Sequence, residues 1–506
     1  MTAAGARPTP PIEFVGPPDA STDRLHGARV EVTAVVLDAL TATGATVDTD
    51  PAARREASRD WWPVAMAWAI DDGSVAATAS VVVRSHDAGE VSAVLAVCHA
   101  AGVPVTAAGG RSGVGGASVP VAGGVLLDLT AMSGIVAIDD ESLTLEVLPG
   151  TFGHVLEADL RARGYTLGHW PQSIELSTVG GWLACRSAGQ FSTRYGKVEQ
   201  MVTGLEVVLA DGRVVRTGGA PAAAVGPDLT QLFVGSEGTL GVITRAWLRL
   251  HPLAPAERSA AYAFADVSTG FDVCRRILRR GATPAVLRLY DVAESARSHG
   301  TTGTANLLVL DEGDAGLVEA TMAIVAEECA RGRAMALDAA LVTAWLGHRN
   351  DVSGLEALTR KGYVVDTMEV AAPWGALDDL YREVRAALLA VPQARAATCH
   401  LSHSYLDGAC LYFTFAATPP ADEHEATYVA LWDAGQRAAL AHGANLSHHH
   451  GIGLNRARFV HDALGPAFAV LAAVKGALDP QGILNPGKLG LARAGTSGSD
   501  HAPAWP

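Results

Sequence analysis

The sequence predicts an α+β protein in two structural halves, the first built on alternating strands and helices, the second on amphipathic helices with interleaved strands. Three observations carry that expectation. A chain of 506 residues is longer than one ordinary core organises, so two or three domains are expected, each able to bury a substantial apolar interior. From about 76 to 252, short β-branched runs alternate with helical stretches. From about 253 to 440 the pattern turns to amphipathic helices and further strands.

In chain order, ATASVVVR (77–84) reads as a strand, AGEVSAVLAVCHAAG (88–102) as a helix stopped by Gly102, and VPVTA (103–107) as the next strand. GVLLDL (124–129) and LTLEVLP (143–149) follow as strands. LEVVLADGRVVRTGG (205–219) places Asp211-Gly212 between two alternating runs, a two-residue hairpin signal. In the second half, 270–281 and 377–391 read as helices, and 285–292, 306–311 and 409–417 as strands. A closing helix at 467–480 leads into QGILNPGKLGL, where Asn485-Pro486-Gly487 marks a turn. Residues 1–20 and 493–506 are rich in Pro, Gly and Ser with few large apolar groups, and are expected as loose tails.

A net charge of −15 argues against nucleic acid as a partner, because such binding rests on clustered Lys and Arg. The six cysteines are spread thinly with no C-x-x-C, as expected of buried free thiols in a reducing compartment. The N-terminus has no basic stretch followed by an apolar one, and no later run approaches 18 uninterrupted apolar residues. A cytoplasmic protein without a membrane span is expected, acting on a small molecule, with a homodimer left open.

The densest signal is glycine. AAGGRSGVGGASVPVAGG (107–124) follows a strand, and its glycines let backbone N–H groups approach an anion without a Cβ in the way. A pyrophosphate suits such a nest. The spacing is not G-x-G-x-x-G and no helix follows at once, so a Rossmann site is disfavoured, and the G-K-[ST] of a Walker loop is absent. PQSIELSTVGGWLACRSAG (171–189) offers Ser177 or Thr178 as an N-cap with Gly180 and Gly181 in the first turn, so that free amides could face an anion. GSEGTLGVITRAWLRL (235–250) is a Gly-spaced turn feeding a strand. Three such loops suggest a long, bent cofactor.

AAGGRSGVGGA, GHWPQSIELSTVGGW, RYGKVEQMV and GSEGTLGVIT together resemble the flavin-binding fingerprint of the vanillyl-alcohol-oxidase or p-cresol-methylhydroxylase type. Within that superfamily, DTMEVAAPW (366–374), GACLYFTF (408–415) and LSHHHGIG (446–453) are most similar to alkylglycerone-phosphate synthase and its bacterial FAD-linked oxidase relatives. The tail ALDPQGILNPGKL looks more like the D-2-hydroxyacid dehydrogenase and glycolate oxidase branch. The resemblance implies a PCMH-type FAD-binding fold of two α/β subdomains with an α+β substrate cap. The implied bounds are an N-terminal tail and helical segment at 1–59, an FAD-binding domain at 60–252, a cap at 253–443, a segment returning to the flavin at 444–490 and a disordered tail at 491–506.

By that resemblance FAD is cradled by Ala107, Ala108, Gly109, Gly110, Arg111, Ser112 and Gly113, by Pro171, Gln172, Ser173 and Ser177, by Thr178, Gly180, Gly181, Trp182, Arg186 and Ser187, and by Glu237, Gly238, Thr239, Gly241, Val242 and Ile243. Some superfamily members tether FAD through a histidine in the first loop. This loop has none, so non-covalent FAD is expected.

Seven of the 17 histidines lie between 400 and 450: His400, His403, His424, His442 and the triplet His448, His449 and His450. Three readings are open: a metal site using His400 or His403 with His449 or His450, proton-transfer groups, or packing. The synthase resemblance implies proton transfer by Tyr412 and the triplet, and no metal is assigned. Adjacent residues cannot all face one pocket, so one or two of the three are expected to act. The family's substrate-phosphate arginine falls on Leu355 here, and a lysine usual after HHHGIG is Leu454. Arg288, in VLRLYD, matches the family's other substrate-side arginine, a surface salt bridge being the competing reading.

The implied activity is oxidation of a small hydroxylated or carboxylated substrate, by proton abstraction and hydride transfer to flavin N5. The alternative is a synthase-like transferase using FAD through a covalent N5 adduct, and a flavin-binding scaffold without turnover is the third option.

Overall fold

A computed structural model describes residues 14–17, 22–25, 29–491 and 505. Three large sheets and a two-stranded one, His251–Pro252 with Tyr165–Thr166, organise them. The first has the strand order Thr46–Asp48, Val81–Arg84, Val125–Asp128, Val105–Ala108, and the last three strands run parallel. Their VVV and VLLD runs are buried on both faces, as parallel strands covered on both sides require. Helix Ala88–Ala101 makes one crossover. Asp87 caps its start by accepting from the Glu90 amide at 2.9 Å, and Gly102 ends it at φ 63°.

The second sheet is antiparallel, in the order Ile135–Asp139, Thr144–Val147, Val242–Arg249, Val202–Val208, Val214–Gly218. The hairpin forms where Asp211-Gly212 marks it, with one extra residue in the turn. Gly212 N donates to Leu209 O and Leu209 N to Arg213 O, both at 2.9 Å, so Ala210-Asp211-Gly212 is a three-residue loop with Gly212 at φ 87°.

The third sheet holds seven antiparallel strands in the order Met335–Leu337, Ala256–Phe264, Ala305–Gly313, Val286–Tyr290, Ala394–Ser404, Gly408–Ala417, Val364–Pro373. One face packs on helices Val267–Arg279, Leu377–Ala390 and His424–Ala441. The other carries a row of polar side chains across four strands, because Glu369 pairs with Tyr412, Tyr412 with His400, and His400 with Tyr290. Residues directly opposite in a ladder share a face, so this row is set by register.

The segments expected as loose tails lie outside the described residues apart from 14–17 and Trp505. Trp505 is buried edge-on against Trp62 and Trp68, at centroid distances of 5.0 and 5.3 Å. All six cysteines are free thiols, five of them buried. One described helical stretch, Ala457–Leu478, is long and apolar enough to cross a membrane by length and composition. It is broken near Gly465, and Lys475 is anchored at its inner end by Asp479 Oδ2, Thr239 O and Leu484 O.

Candidate active site

The first sheet, the second sheet and the polar face of the third meet around a cavity of about 670 Å³, within the size range of cofactor sites. Residues 107–113 form its first wall. A Cβ on Gly110 would lie 2.0 Å from Leu176 O, and one on Gly109 2.3 Å from Thr178 Oγ1, so the first loop reaches the second only because both residues lack side chains. Arg111 sits at φ 52°, a left-handed conformation rare outside glycine.

The second wall is Pro171, Gln172, Ser173, Ser177, Thr178, Gly180, Gly181, Trp182 and Ser187. Trp182 Nε1 donates to Ser177 Oγ at 2.7 Å, which fixes the indole under the turn. Thr178 occupies the N-cap position of Val179–Cys185 but makes no cap; its Oγ1 accepts from Gly110 N at 3.4 Å instead. The expectation of free first-turn amides needs correction, because Val179 N donates to Thr151 O at 3.0 Å and Gly180 N to Pro149 O at 2.8 Å.

Glu237, Gly238, Gly241, Val242 and Ile243 supply the third wall. Two residues expected in these walls, Arg186 in the second and Thr239 in the third, lie elsewhere. Arg186 takes the left-handed C-cap of its helix at φ 56°, which throws its side chain outward to Gln231 Oε1 at 2.9 Å. Thr239 is buried behind the wall, its hydroxyl on Ser236 O at 2.7 Å and its carbonyl on Lys475.

The histidine loop, 447–453, closes the cavity and is strung between two buried carboxylates. Glu369 Oε1 accepts from Ser447 Oγ at 2.6 Å and from the amides of His448, His449 and His450 at 3.2, 3.1 and 2.9 Å. Arg456 grips the same carboxylate with both terminal nitrogens. Glu237 takes the Ile452 amide and, at 2.9 Å, that of Gly453. Burial pushes the Glu369 carboxyl up, but Arg456 and then His450 override it and hold it well below 4.5. Burial raises Glu237.

The triplet divides. His449 and His450 line the cavity with Tyr412 and Arg288. His448 does not; it turns behind them, Nε2 on Tyr405 Oη at 2.7 Å and Nδ1 on His449 Nδ1 at 2.8 Å. Burial lowers His403, His448 and His449 well below 6.5, so all three are neutral imidazoles at pH 7. Their nitrogens lie within 4.8 Å of one another. His400, grouped with them from sequence, stands apart between Glu294 Oε1 at 2.9 Å and Arg288 Nη2 at 2.6 Å. His450 Nδ1 lies 3.0 Å from Glu369 Oε2. The Tyr412 hydroxyl donates to Thr367 Oγ1 at 3.0 Å, and burial raises its pKa well above 10.

The sequence did not point to Asp60, Trp61, Gln190, Trp345 or Arg349, all of which line the cavity, or to Glu369 behind it. Glu369 carried one signal, a carboxylate amid the apolar residues of DTMEVAAPW.

The cavity suits a long, polar cofactor. Arg111 Nε, Gln190 Oε1 and Trp61 Nε1 are buried along it without partners, and the glycine walls leave backbone where side chains would otherwise stand. Two family descriptions match the chain: "FAD binding domain" over 79–218 and "FAD linked oxidases, C-terminal domain" over 253–489. The uncharacterised FAD-linked oxidoreductase YgcU of Escherichia coli (strain K12) is 34% identical over 430 residues, 81% of this chain and 88% of its own. The chain belongs to the FAD-linked oxidase family. As a member it is an FAD-linked oxidoreductase, and FAD is its cofactor. Dictyostelium discoideum alkyldihydroxyacetonephosphate synthase is 27% identical over 455 residues, 82% of this chain and 74% of its own. A solved alkyldihydroxyacetonephosphate synthase matches the fold with TM-score 0.77 at 23% identity, covering 92% of this chain and 87% of that one. Substrate-bound p-cresol methylhydroxylase matches with TM-score 0.73 at 19% identity, covering 92% and 99%. The FAD-linked oxidase fold is therefore of the p-cresol-methylhydroxylase type.

Proposed function

We propose that the protein oxidises a small hydroxylated or carboxylated substrate, with His450 as the base and Arg288 orienting an anionic group. The observation that supports it is the sharing of one cavity by His449, His450, Tyr412 and Arg288 with the three glycine-rich walls. Bound FAD, held non-covalently by those walls, supplies a two-electron acceptor.

The chain's own groups have distinct parts. His450 Nδ1 lies 3.0 Å from the Glu369 carboxylate, so a ring with its proton on that nitrogen would offer Nε2 to the substrate. The same carboxylate stabilises the imidazolium formed when Nε2 takes the substrate's proton. Tyr412 stays a phenol at neutral pH, so it positions an oxygen rather than removing a proton. His449, tied through Nδ1 to His448, faces the substrate as a neutral imidazole. His448 holds its neighbour in place.

Anaerobic addition of hydroxyacids and alcohols to the FAD-loaded protein tests the reading. Bleaching of the flavin by one class is expected, slowed by about 10²- to 10⁴-fold in His450→Gln. Absence of bleaching by every candidate, together with acyl-group exchange on an acyl-ketone phosphate, would replace oxidation with transfer.

A further inference from the structure

Asp60 is 1% exposed and lines the cavity, yet only one of its carboxylate oxygens is held. Oδ1 accepts from Trp62 N at 3.1 Å, whereas Oδ2 is buried with no hydrogen-bond partner. The amides of Gly116 and Ser118 and the charge of Lys488 offset part of the burial without giving Oδ2 a hydrogen bond. Lys488 itself donates from Nζ to Val119 O at 2.8 Å. A buried acceptor left open is costly and rare in folded proteins, and burial accordingly lifts this carboxyl to about 7.

The position of Asp60 along the cavity follows from what its segment is fastened to. Trp61 N donates to Gly113 O at 2.8 Å, and a Cβ on Gly113 would come 3.7 Å from Asp60 Oδ2. The loop leaving Gly113 is stitched in turn to the end of the histidine loop, because Gly115 O accepts from Leu454 N at 2.7 Å and Asn455 N at 3.1 Å. Gly116, at φ 78°, makes room for both sides: a Cβ there would meet Trp62 at 3.0 Å and Leu454 at 3.2 Å. Asn485 Nδ2 joins Ala117 O to Glu237 O, at 3.0 and 2.6 Å, and Glu237 is the carboxylate that holds Ile452 and Gly453. Asp60 therefore opens onto the part of the cavity that borders the histidine loop.

We propose that Asp60 Oδ2 accepts a hydrogen bond from the flavin half of FAD, from the ring N–H or a ribityl hydroxyl. The choice of that half rests on the oxidation reading, in which the histidine loop faces the reacting ring. A pyrophosphate offers acceptors and negative charge, so it is the one part of the cofactor that a buried carboxylate repels. Placed beside the flavin, the same carboxylate opposes the negative charge that reduction brings to the ring. Asp60 is thus a positioning residue for the cofactor and a restraint on how readily it is reduced.

The test compares the full-length FAD-loaded parent with Asp60→Ala, which removes the acceptor, and Asp60→Asn, which keeps an acceptor without charge, at pH 8, where the parent carboxyl is ionised. FAD release, read from flavin fluorescence on dilution, should quicken by about tenfold or more in Asp60→Ala and by less in Asp60→Asn. Equilibration with a reference redox dye should show the ratio of reduced to oxidised flavin raised about tenfold in Asp60→Asn. A shift of the long-wavelength flavin band along with it assigns the ring N–H; a raised ratio without that shift assigns a ribityl hydroxyl. Faster release with an unchanged ratio puts the contact on the adenosine half and overturns the proposal, as does parent-like release in Asp60→Ala. Should Asp60→Ala fail to fold, the dye ratio of Asp60→Asn decides alone. His450→Gln keeps the two readings apart: if it moves the flavin band while Asp60→Asn leaves the ratio unchanged, only the assignment of Asp60 falls. Failure of every substrate to bleach the flavin, with release and ratio as expected, removes oxidation and leaves Asp60 in place.

Discussion

Replacing Glu369 with Gln keeps the shape of the side chain and removes its charge. Arg456 is 3% exposed in the side chain and Glu369 0%, so the variant strands a buried guanidinium beside an amide. Breaking a buried pair by neutralising one partner costs about 3–5 kcal/mol. Oε1 alone already takes Ser447, the three loop amides and Arg456 Nη1, so the new amide nitrogen must stand where Oε2 accepted from Arg456 Nη2 and faced His450. Denaturant unfolding of the FAD-loaded protein should show that loss, and stopped-flow flavin reduction should slow as the histidines lose their alignment. Glu369→Gln/Arg456→Met, which leaves no unpaired charge, should recover much of the stability without restoring the rate. Because the folded carboxyl titrates well below 4.5, its stabilisation is present above pH 4.5 and lost as pH falls through the folded value, so the variant's deficit should shrink in acid. A single variant within about 1 kcal/mol of the parent, reducing flavin at the parent rate, would refute the reasoning.

Tyr412→Phe should slow flavin reduction by roughly 10²-fold and leave the alkaline limb of the pH profile in place, since a buried phenol is not the group titrating there; stopped-flow reduction from pH 6 to 9 checks this. Gly110→Ala would set a Cβ 2.0 Å from Leu176 O, so the purified protein should carry less FAD, read from the ratio of protein to flavin absorbance. Burial raises Asp60 from 3.8 to about 7, which means the folded state binds the extra proton between those values and its stability falls as pH rises through them. Asp60→Asn should therefore gain stability relative to the parent between pH 4 and 7 in parallel denaturant melts, and a constant difference would count against the assignment.

Legibility followed the physics of each signal. Helix Ala88–Ala101 was readable because Asp87 and Gly102 punctuate it locally, and the hairpin at Asp211-Gly212 because only a few turns accept that pair. The extra residue in that turn is set by how the two strands pair, which the dipeptide does not encode. Strand Ala256–Phe264 was missed because Ala and charged residues break its alternation, and Ala394–Ser404 because its first four residues are all Ala or Arg beside an exposed turn. The glycine walls were visible as composition, whereas Arg186 and Thr239 were misplaced because a left-handed cap and a buried turn aim side chains independently of motif position. His448 could be separated from its neighbours only by knowing that Tyr405 waits on the other side. Arg349 was not singled out because two of the three rings around it, Trp170 and Phe191, come from a segment more than 150 residues earlier in the sequence.

The loop that presents the imidazoles is moored at both ends to different sheets, by Glu369 from the seven-stranded one and by Glu237 from the turn before strand Val242–Arg249. Any motion that parts those two bodies must let go of one mooring. If that segment supplies the base, a substrate wide enough to wedge the halves open would slacken it, so size exclusion and loss of reactivity would arrive together, with no separate gate required.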